Sequence, residues 1–284
     1  MNKLSIITIN YNNKAGLQLT FDSVFSQVYK DFEYIVIDGG SNDGGKELVE
    51  AHQDKIDYWV SEADKGIYNA MNKGIRAAKG EYVYFLNSGD TFCEDDTLSL
   101  VNDGIKVPLD FYYGDLKLAG SADVIHCPDT LTFDYFYKWT LPHQTVFIRR
   151  ALFDELFYYN EDIKIVSDWE FFICAICKYD ASYKHLDLFI ANYDMDGFSS
   201  NPLNREKFLN ERTSCLKKHF GYFVDDHKEL LILKEYSRRT RFQALIELEN
   251  STIASKLNSF FLRVMLKLFR GKNWKDLKQP NKPY

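Results

Sequence analysis

Two carboxylates about fifty residues apart each follow an apolar run that is typical of a buried strand. Asp38 closes the run 32–37, and Asp90 follows the run 82–86 after a short turn. Both runs break into segments rich in Gly, Ser, Asn and Asp, the residues that favour turns. Ligands of an open, mostly parallel α/β sheet bind outside the carboxyl ends of its strands. Two acids delivered to that edge are suited to holding a nucleotide and a divalent cation.

The elements that must deliver these acids follow a regular order in the first third of the chain. Strand-like runs at 4–9, 32–37, 58–60 and 82–86 alternate with stretches of helical periodicity such as 68–78. This alternation predicts parallel βαβ units.

The regular alternation of strand-like and helical stretches ends after Asp90, where the strand-like runs become shorter. From about Asn204 onward the pattern is helical. We therefore predict an α/β domain over residues 1–203, with a mixed, mostly parallel sheet flanked by helices. Its nucleotide-binding half would be 1–95 and its acceptor half 96–203. A basic, amphipathic helical extension would follow over 204–284.

Composition narrows the class of protein. The 284 residues are 45% hydrophobic and 16% aromatic, which is enough to bury a substantial core. The net charge of −6 argues against a nucleic-acid partner. Five scattered cysteines form no paired framework, and the first strand-like run begins at Leu4, so we expect no secretory leader. These features predict a cytoplasmic protein with reduced thiols.

Four segments, taken in order, resemble an inverting glycosyltransferase of family 2 with the nucleotide-diphospho-sugar transferase (GT-A) fold. They are Ser5–Asn12, Glu33–Gly44, Asp64–Ile75 and Gly80–Asp90. Each segment alone is a weak signal, whereas the ordered set is specific. The resemblance covers roughly residues 4 to 195, and it implies an enzyme that uses a nucleotide-sugar donor.

The resemblance implies a nucleotide-binding role for several residues of the first half. Thr8 and Tyr11 would pack on or bond to the nucleobase, while Asp38 would accept from the imide N–H of the base. A carboxylate at that place suits UDP, because uracil offers this donor between two carbonyls. Asp64 and Asn72 would lie near the base and the ribose.

Asp90 corresponds to the last acid of the family's metal-binding motif, where it would hold Mg²⁺ or Mn²⁺ on the diphosphate. This sequence departs from the motif, because Asn87 stands where the first acid often lies and Gly89 carries no side chain. Asn87 would instead bond a ribose hydroxyl. A cation held by one carboxylate, substrate phosphates and waters is still ordinary for Mg²⁺.

The acceptor half contributes two further residues. Asp168 matches the family's general base, and inversion requires one, because the attacking acceptor hydroxyl must lose its proton. His143 would face the diphosphate or the acceptor. Each residue also has a structural alternative, since Asp is a good helix N-cap and a lone His is often a structural hydrogen-bonding group.

The C-terminal segment is basic, with 11 Lys and Arg against 3 Asp and Glu from Tyr236 to Tyr284. Apolar residues recur at helical spacing over 253–270, with Lys and Arg between them. Such a helix is compatible with peripheral contact to a membrane surface. It is equally compatible with packing on the catalytic domain or on a second copy in a homo-oligomer.

The expected function is therefore sugar transfer from a nucleotide-sugar donor, UDP-linked by the Asp38 argument, to a saccharide or lipid-linked saccharide. Family resemblance places this hexosyltransferase-type reaction in surface polysaccharide biosynthesis, in the cytoplasm or on the inner face of the cell membrane. One alternative is a sugar-nucleotidyltransferase, although Tyr11–Gly16 is a poor match to the Gly-rich, basic loop of that class. The other is a non-catalytic module that only binds nucleotide sugars.

Overall fold

A computed structural model describes residues 4–194 and 202–270 of the chain. By internal contacts the chain divides into two compact units, Met1–Cys215 and Leu216–Tyr284. The sequence predicted this boundary after residue 203. The long helix Arg205–Ser237 begins in the first unit. Arg212, near the start of this helix, is buried, and its guanidinium lies 4.4 Å from the centre of the Trp169 ring.

The strands of the first unit form one sheet. In the described residues they are β1 (Leu4–Asn10), β2 (Phe32–Asp38), β3 (Tyr58–Ser61), β4 (Tyr82–Phe85), β5 (Thr91–Phe92), β6 (Phe111–Leu118), β7 (Val124–Ile125), β8 (Val146–Arg149) and β9 (Tyr183–Tyr193).

Helices connect these strands and form the C-terminal extension. They are α1 (Lys14–Ser26), α2 (Gly45–Ala51), α3 (Ile67–Ala77), α4 (Thr97–Gly104), α5 (Phe133–Lys138), α6 (Ala151–Glu155), α7 (Ser167–Cys177), α8 (Arg205–Ser237), α9 (Thr240–Glu249) and α10 (Thr252–Arg270). Within the described ranges, no helix is both long and apolar enough to cross a bilayer.

The strand order is β3-β2-β1-β4-β8-β6-β9-β5, with β7 paired to β6. The first four strands are mutually parallel, β8 runs antiparallel to both β4 and β6, and β9 is parallel to β6. The predicted mixed α/β sheet is confirmed, as are its parallel first half and the C-terminal helices. β9 pairs with β6 from Tyr183 to Tyr193, with register shifts near Asp115.

The parallel half of the sheet is covered by α3, which lies very close to β1. An alanine methyl group on Gly74 would lie 2.5 Å from Cγ2 of Ile7, which is fully buried in β1. Only a residue without a side chain allows this separation of helix and strand. Gly74 therefore fixes the position of α3, which carries several of the candidate site residues.

Gly74→Ala is expected to lower the free energy of unfolding by about 1–3 kcal/mol, the usual cost of overpacking a core. Urea denaturation measures this effect. Gly221→Ala on α8 is the control, since no described atom lies within 4 Å of the added methyl group and alanine is the better helix former. Equal effects in the two variants would contradict the close packing of α3 on β1.

Candidate active site

Asp38 lies at the carboxyl end of β2, in register with Asn10 of β1 and Ser61 of β3. It is fully buried and accepts four hydrogen bonds, from Asn10 Nδ2 (2.8 Å), Ser41 Oγ (2.5 Å), Ser41 N (3.0 Å) and Ser61 Oγ (2.6 Å). Burial alone would raise the pKa of this carboxyl, but these donors outweigh it and lower the pKa below its ordinary value. Asp38 thus holds three strand ends and the following turn together, and its contact with a base stays a prediction.

Gly39 directly follows Asp38 and is itself buried, and two predicted site residues lie next to it. A Cβ placed on Gly39 would lie 3.1 Å from Tyr11 Cδ2 and 3.0 Å from Asp64 Oδ2, so both side chains border this glycine. The Tyr11 ring is 68% exposed. Asp64 is mostly buried and accepts from Lys73 Nζ at 2.5 Å. Tyr11 and Asp64, two of the predicted nucleotide-binding residues, therefore lie close to each other beside Gly39.

Two other predicted nucleotide-binding residues form bonds within the protein. The buried Thr8 hydroxyl donates to Leu86 O at 2.8 Å, which joins β1 to the end of β4. Asn72 on α3 donates to Tyr159 O at 2.8 Å and to Glu161 Oε1 at 2.9 Å, and accepts from Tyr159 N at 3.1 Å. Their contact with a nucleotide stays a prediction.

The turn that carries Asp90 is held by Thr20 of α1. The Thr20 hydroxyl lies 2.8 Å from Asp90 O and accepts from Gly89 N at 3.0 Å. Gly89 has φ +105°, a conformation that favours glycine. A Cβ there would lie 2.7 Å from Asp194 Oδ2, so the Asp194 carboxylate occupies the space that a side chain would need.

Asp194 is a site residue that sequence reasoning missed. It directly follows β9, which pairs antiparallel with β5 just after Asp90, and its backbone N–H donates to Asp90 Oδ1 at 2.9 Å. The available signal was its place after an apolar strand, the same signal that marked Asp38. Two carboxylates, rather than one, therefore meet at this turn.

Asp90 is nearly fully buried, and its surroundings oppose ionisation. Burial raises its pKa from 3.8 to about 6, and the Asp194 carboxylate adds to the effect. Hydrogen bonds from Asp194 N and from the Gln144 side chain, and the nearby His143, act in the opposite direction. An ionised Asp90 beside a second carboxylate is therefore costly unless a cation joins them.

These residues fit a divalent cation. Carboxylate oxygens are the ligands that Mg²⁺ and Mn²⁺ prefer, and Asp90 and Asp194 supply them from two strand ends. Asn87 Oδ1, on the same turn as Asp90, is buried with no donor from the described part of the chain. Among the described residues, no cluster of three His, Cys, Asp or Glu side chains forms a complete protein cage, so substrate phosphates and water would have to complete the coordination.

Three predicted residues join in one network with Tyr68. The Asn87 amide N–H donates to His143 Nε2 at 2.9 Å, so a neutral imidazole carries its proton on Nδ1. His143 Nδ1 lies 3.4 Å from Asp168 Oδ2. Tyr68 of α3 donates to Asp168 Oδ1 at 2.8 Å. The structure thus brings the predicted base and His143 together with the turn that contains Asp90.

Asp168 does not cap its helix. It is the second residue of α7, the N-cap position is Val166, and no side chain caps the helix there. The Ser167 hydroxyl instead accepts from Asn160 N at 2.6 Å. Because its side chain is 16% exposed, the Asp168 carboxylate is both oriented by the network and accessible.

Asp90→Asn is expected to raise the free energy of unfolding at pH 7.5, without divalent cations, by about 1–3 kcal/mol. At that pH Asp90 is ionised in both the folded and the unfolded state, and only the folded state carries the cost of burial. The folded state binds a proton as the pH falls through about 6, so the advantage of Asn should shrink towards pH 4.

Denaturation at several pH values measures this difference. Asp103→Asn, at an exposed position of α4, is the control and should change stability by less than about 0.5 kcal/mol. A loss of stability in Asp90→Asn at pH 7.5 would contradict this account of the carboxylate.

Comparisons with known proteins agree with this geometry. Residues 5–124 match the family described as Glycosyl transferase family 2. A PGL/p-HBAD biosynthesis glycosyltransferase of Mycobacterium tuberculosis is 30% identical over 217 residues, which cover 72% of this chain and 82% of that protein. The putative teichuronic acid biosynthesis glycosyltransferase TuaG of Bacillus subtilis is 29% identical over 147 residues, covering 49% and 58%.

Solved structures share the fold. S. aureus TarS 1-349 in complex with UDP superposes with a TM-score of 0.58 at 22% identity, over 68% of this chain and 60% of that one. Mannosyltransferase PcManGT from Pyrobaculum calidifontis, in complex with GDP-Man and Mn²⁺, gives 0.54 at 18% identity, over 95% and 81%. The chain belongs to glycosyl transferase family 2 and is a glycosyltransferase of the GT-A fold.

Proposed function

We propose that this enzyme transfers a sugar, with inversion, from a UDP-linked donor to a saccharide or lipid-linked saccharide acceptor in cell-surface glycan biosynthesis. The observation that carries the proposal is the network of Asn87, His143 and Asp168. It joins an accessible carboxylate of the acceptor half to the turn that contains Asp90. The names of the mycobacterial and Bacillus relatives, which refer to PGL/p-HBAD and teichuronic acid biosynthesis, support the class of acceptor.

The donor base would lie on the Tyr11 ring, over Gly39, with Asp64 as the carboxylate facing its edge. Tyr11 is exposed and Asp64 borders the same glycine. Asp38 would not contact the base directly, because its oxygens already accept four hydrogen bonds. It would instead hold in place the strand ends and the turn beside Tyr11 and Asp64. A carboxylate facing the imide N–H favours uracil, and the UDP complex of TarS is in keeping with this choice.

A divalent cation, either Mn²⁺ or Mg²⁺, would be held by Asp90 and Asp194. When bound, it would neutralise charge on the donor diphosphate. The raised pKa of Asp90 supports this assignment, because a cation between the two carboxylates would remove the repulsion that Asp194 contributes. The complex of PcManGT with GDP-Man and Mn²⁺ is consistent with it.

Asp168 would act as the general base. The acceptor oxygen forms a bond to the anomeric carbon while the bond to the diphosphate breaks, and the acceptor proton passes to Asp168 Oδ2. Oδ1 accepts from Tyr68, whereas the contact given for Oδ2 within residues 4–194 and 202–270 is the longer one of 3.4 Å with His143 Nδ1. His143, held by Asn87, would keep the carboxylate in this orientation.

Asp168→Asn is expected to lower the rate of transfer by about 10²–10⁴-fold, the usual contribution of a positioned general base. Donor affinity should be unchanged, because Asp168 lies outside the base pocket. Transfer from UDP-sugars with Mn²⁺, and donor binding by calorimetry, measure the two effects. Asp162→Asn is the control, at an exposed position six residues earlier.

Transfer by Asp168→Asn within a few-fold of wild type would contradict the assignment of the base. Donor binding without turnover by the wild type, across a broad acceptor panel, would favour a non-catalytic binding module instead.

We also propose that α10 associates with an anionic lipid surface. The helix Thr252–Arg270 contains four basic residues and no acidic residue. Its large apolar side chains are exposed, among them Ile253, Leu257, Phe260, Phe261, Leu268 and Phe269. A basic helix with exposed aromatic and aliphatic side chains fits the interface of an anionic bilayer. Such an interface is also where a lipid-linked acceptor would be found.

Vesicle sedimentation of the full chain tests this association. Binding to vesicles with anionic lipid should exceed binding to neutral vesicles and weaken at high salt. Lys256→Glu/Lys267→Glu should lower binding at least about tenfold, since each basic residue near such a surface contributes about 1 kcal/mol. Lys228→Glu/Lys234→Glu on α8 is the control with the same charge change. Salt-independent binding, or equal loss in both double variants, would contradict the proposal.

A further inference from the structure

One face of α3 is bonded to the segment that leads into α7. Asn69 and Asn72 donate to the two carboxylate oxygens of Glu161, at 2.8 and 2.9 Å. Tyr68 reaches further along the same segment, to Ile165 O at 2.7 Å and to Asp168 Oδ1 at 2.8 Å. These α3 residues therefore hold the segment that leads to the proposed catalytic base Asp168, in addition to any contact they make with the nucleotide.

The Tyr68 hydroxyl has one proton and two acceptors within hydrogen-bond distance. One acceptor is a main-chain carbonyl and the other a carboxylate, and hydrogen bonds to an ionised acceptor are the stronger ones. Tyr68 is buried, and burial together with Asp168 raises its pKa well above the ordinary value. It therefore keeps its proton, and remains a donor, throughout the pH range in which the enzyme would work.

The surroundings of Asp168 contain two further polar groups. His143 approaches Oδ2 from the turn before β8. Tyr159 is buried close enough for Asp168 to raise its pKa, but its hydroxyl has no hydrogen-bond partner among the residues that the structure describes. The ring centres of Tyr68 and Tyr159 lie 5.6 Å apart, and of these two tyrosines only Tyr68 donates to the carboxylate.

We propose that Tyr68 is a positioning residue that fixes the Asp168 carboxylate through Oδ1, stabilises its ionised form and leaves Oδ2 as the oxygen that receives the acceptor proton. This inference rests on the proposed role of Asp168 as general base. It assigns to α3, which is anchored to β1 through Gly74, a part in setting the basicity of a residue on α7.

The consequence is a shift of the pH profile. A hydrogen bond donated to a carboxylate favours the charged form, so its removal raises the pKa of that group. The base must be deprotonated to act, so the acid limb of the kcat profile should move to higher pH. Tyr68→Phe is expected to move its midpoint up by about one pH unit and to lower kcat. The KM for the donor should change little, because Tyr68 does not border the base pocket.

Tyr159→Phe is the matched control, because it removes a hydroxyl beside the same carboxylate without removing a hydrogen bond to it. Its acid limb should stay at the wild-type position. Circular dichroism at each pH must show the same folded fraction across the acid limb, because acid unfolding of a less stable variant would also move the midpoint to higher pH.

A second variant covers the case in which Tyr68→Phe does not fold. A single 3-fluorotyrosine at position 68 keeps the size and the hydroxyl but makes it a stronger donor. It should move the acid limb to lower pH. An unmoved limb in the foldable variants, or an equal shift in Tyr159→Phe, would overturn the inference.

The outcome also separates this inference from the proposed function. If Asp168→Asn abolishes transfer while Tyr68→Phe leaves the acid limb in place, only the role of Tyr68 fails. If Asp168→Asn retains transfer, the assignment of the base fails, and the role of Tyr68 fails with it.

Discussion

The antiparallel pairing of β8 with β4 determines where the functional groups of this enzyme meet. Because the two strands run in opposite directions, the turn after β4 and the turn before β8 lie at the same end of the sheet. Asn87 is on the first turn and His143 on the second, and their hydrogen bond joins the predicted nucleotide-binding half of the domain to the predicted acceptor half. If β8 were parallel to β4, the turn before it, with His143, would lie at the opposite end of the strands, away from Asp38 and Asp90.

The two strand-end carboxylates lie in opposite environments although both are buried. Asp38 accepts four hydrogen bonds from its own surroundings, and its pKa is lowered. Asp90 faces a second carboxylate and too few donors, and its pKa is raised. The first arrangement stabilises the fold by itself, whereas the second holds a buried carboxyl beside another carboxylate. This contrast is typical of a domain that keeps its framework rigid and accepts a local cost where a ligand binds.

The sequence predicted the parallel half of the sheet well. Strand-like apolar runs alternate there with stretches of helical spacing, and each βαβ unit can be recognised from its own short stretch of sequence. It predicted Asp168 and His143 through resemblance, since no spacing rule relates residues that meet only through β8 and α7. The contact of Tyr68 with Asp168 spans 100 positions and has no local signal. Asp194 had a local signal, its place after an apolar strand, but its approach to Asp90 depends on the pairing of β9 with β5, which neither strand shows alone. The bonds that Asn10 and Ser61 donate to Asp38 depend on the register of β1 and β3 with β2, which sequence periodicity does not report.

Gly89 lies where Asp90 meets the carboxylate of Asp194. Its missing side chain leaves the space that the Asp194 carboxylate occupies, with Asp194 Oδ2 only 2.7 Å from where a Cβ would stand. An acidic side chain at position 89 and one at position 194 would compete for the same volume. The carboxylate that accompanies Asp90 comes from the end of a strand 104 positions away rather than from its own turn. A side chain at position 89 would have to displace it.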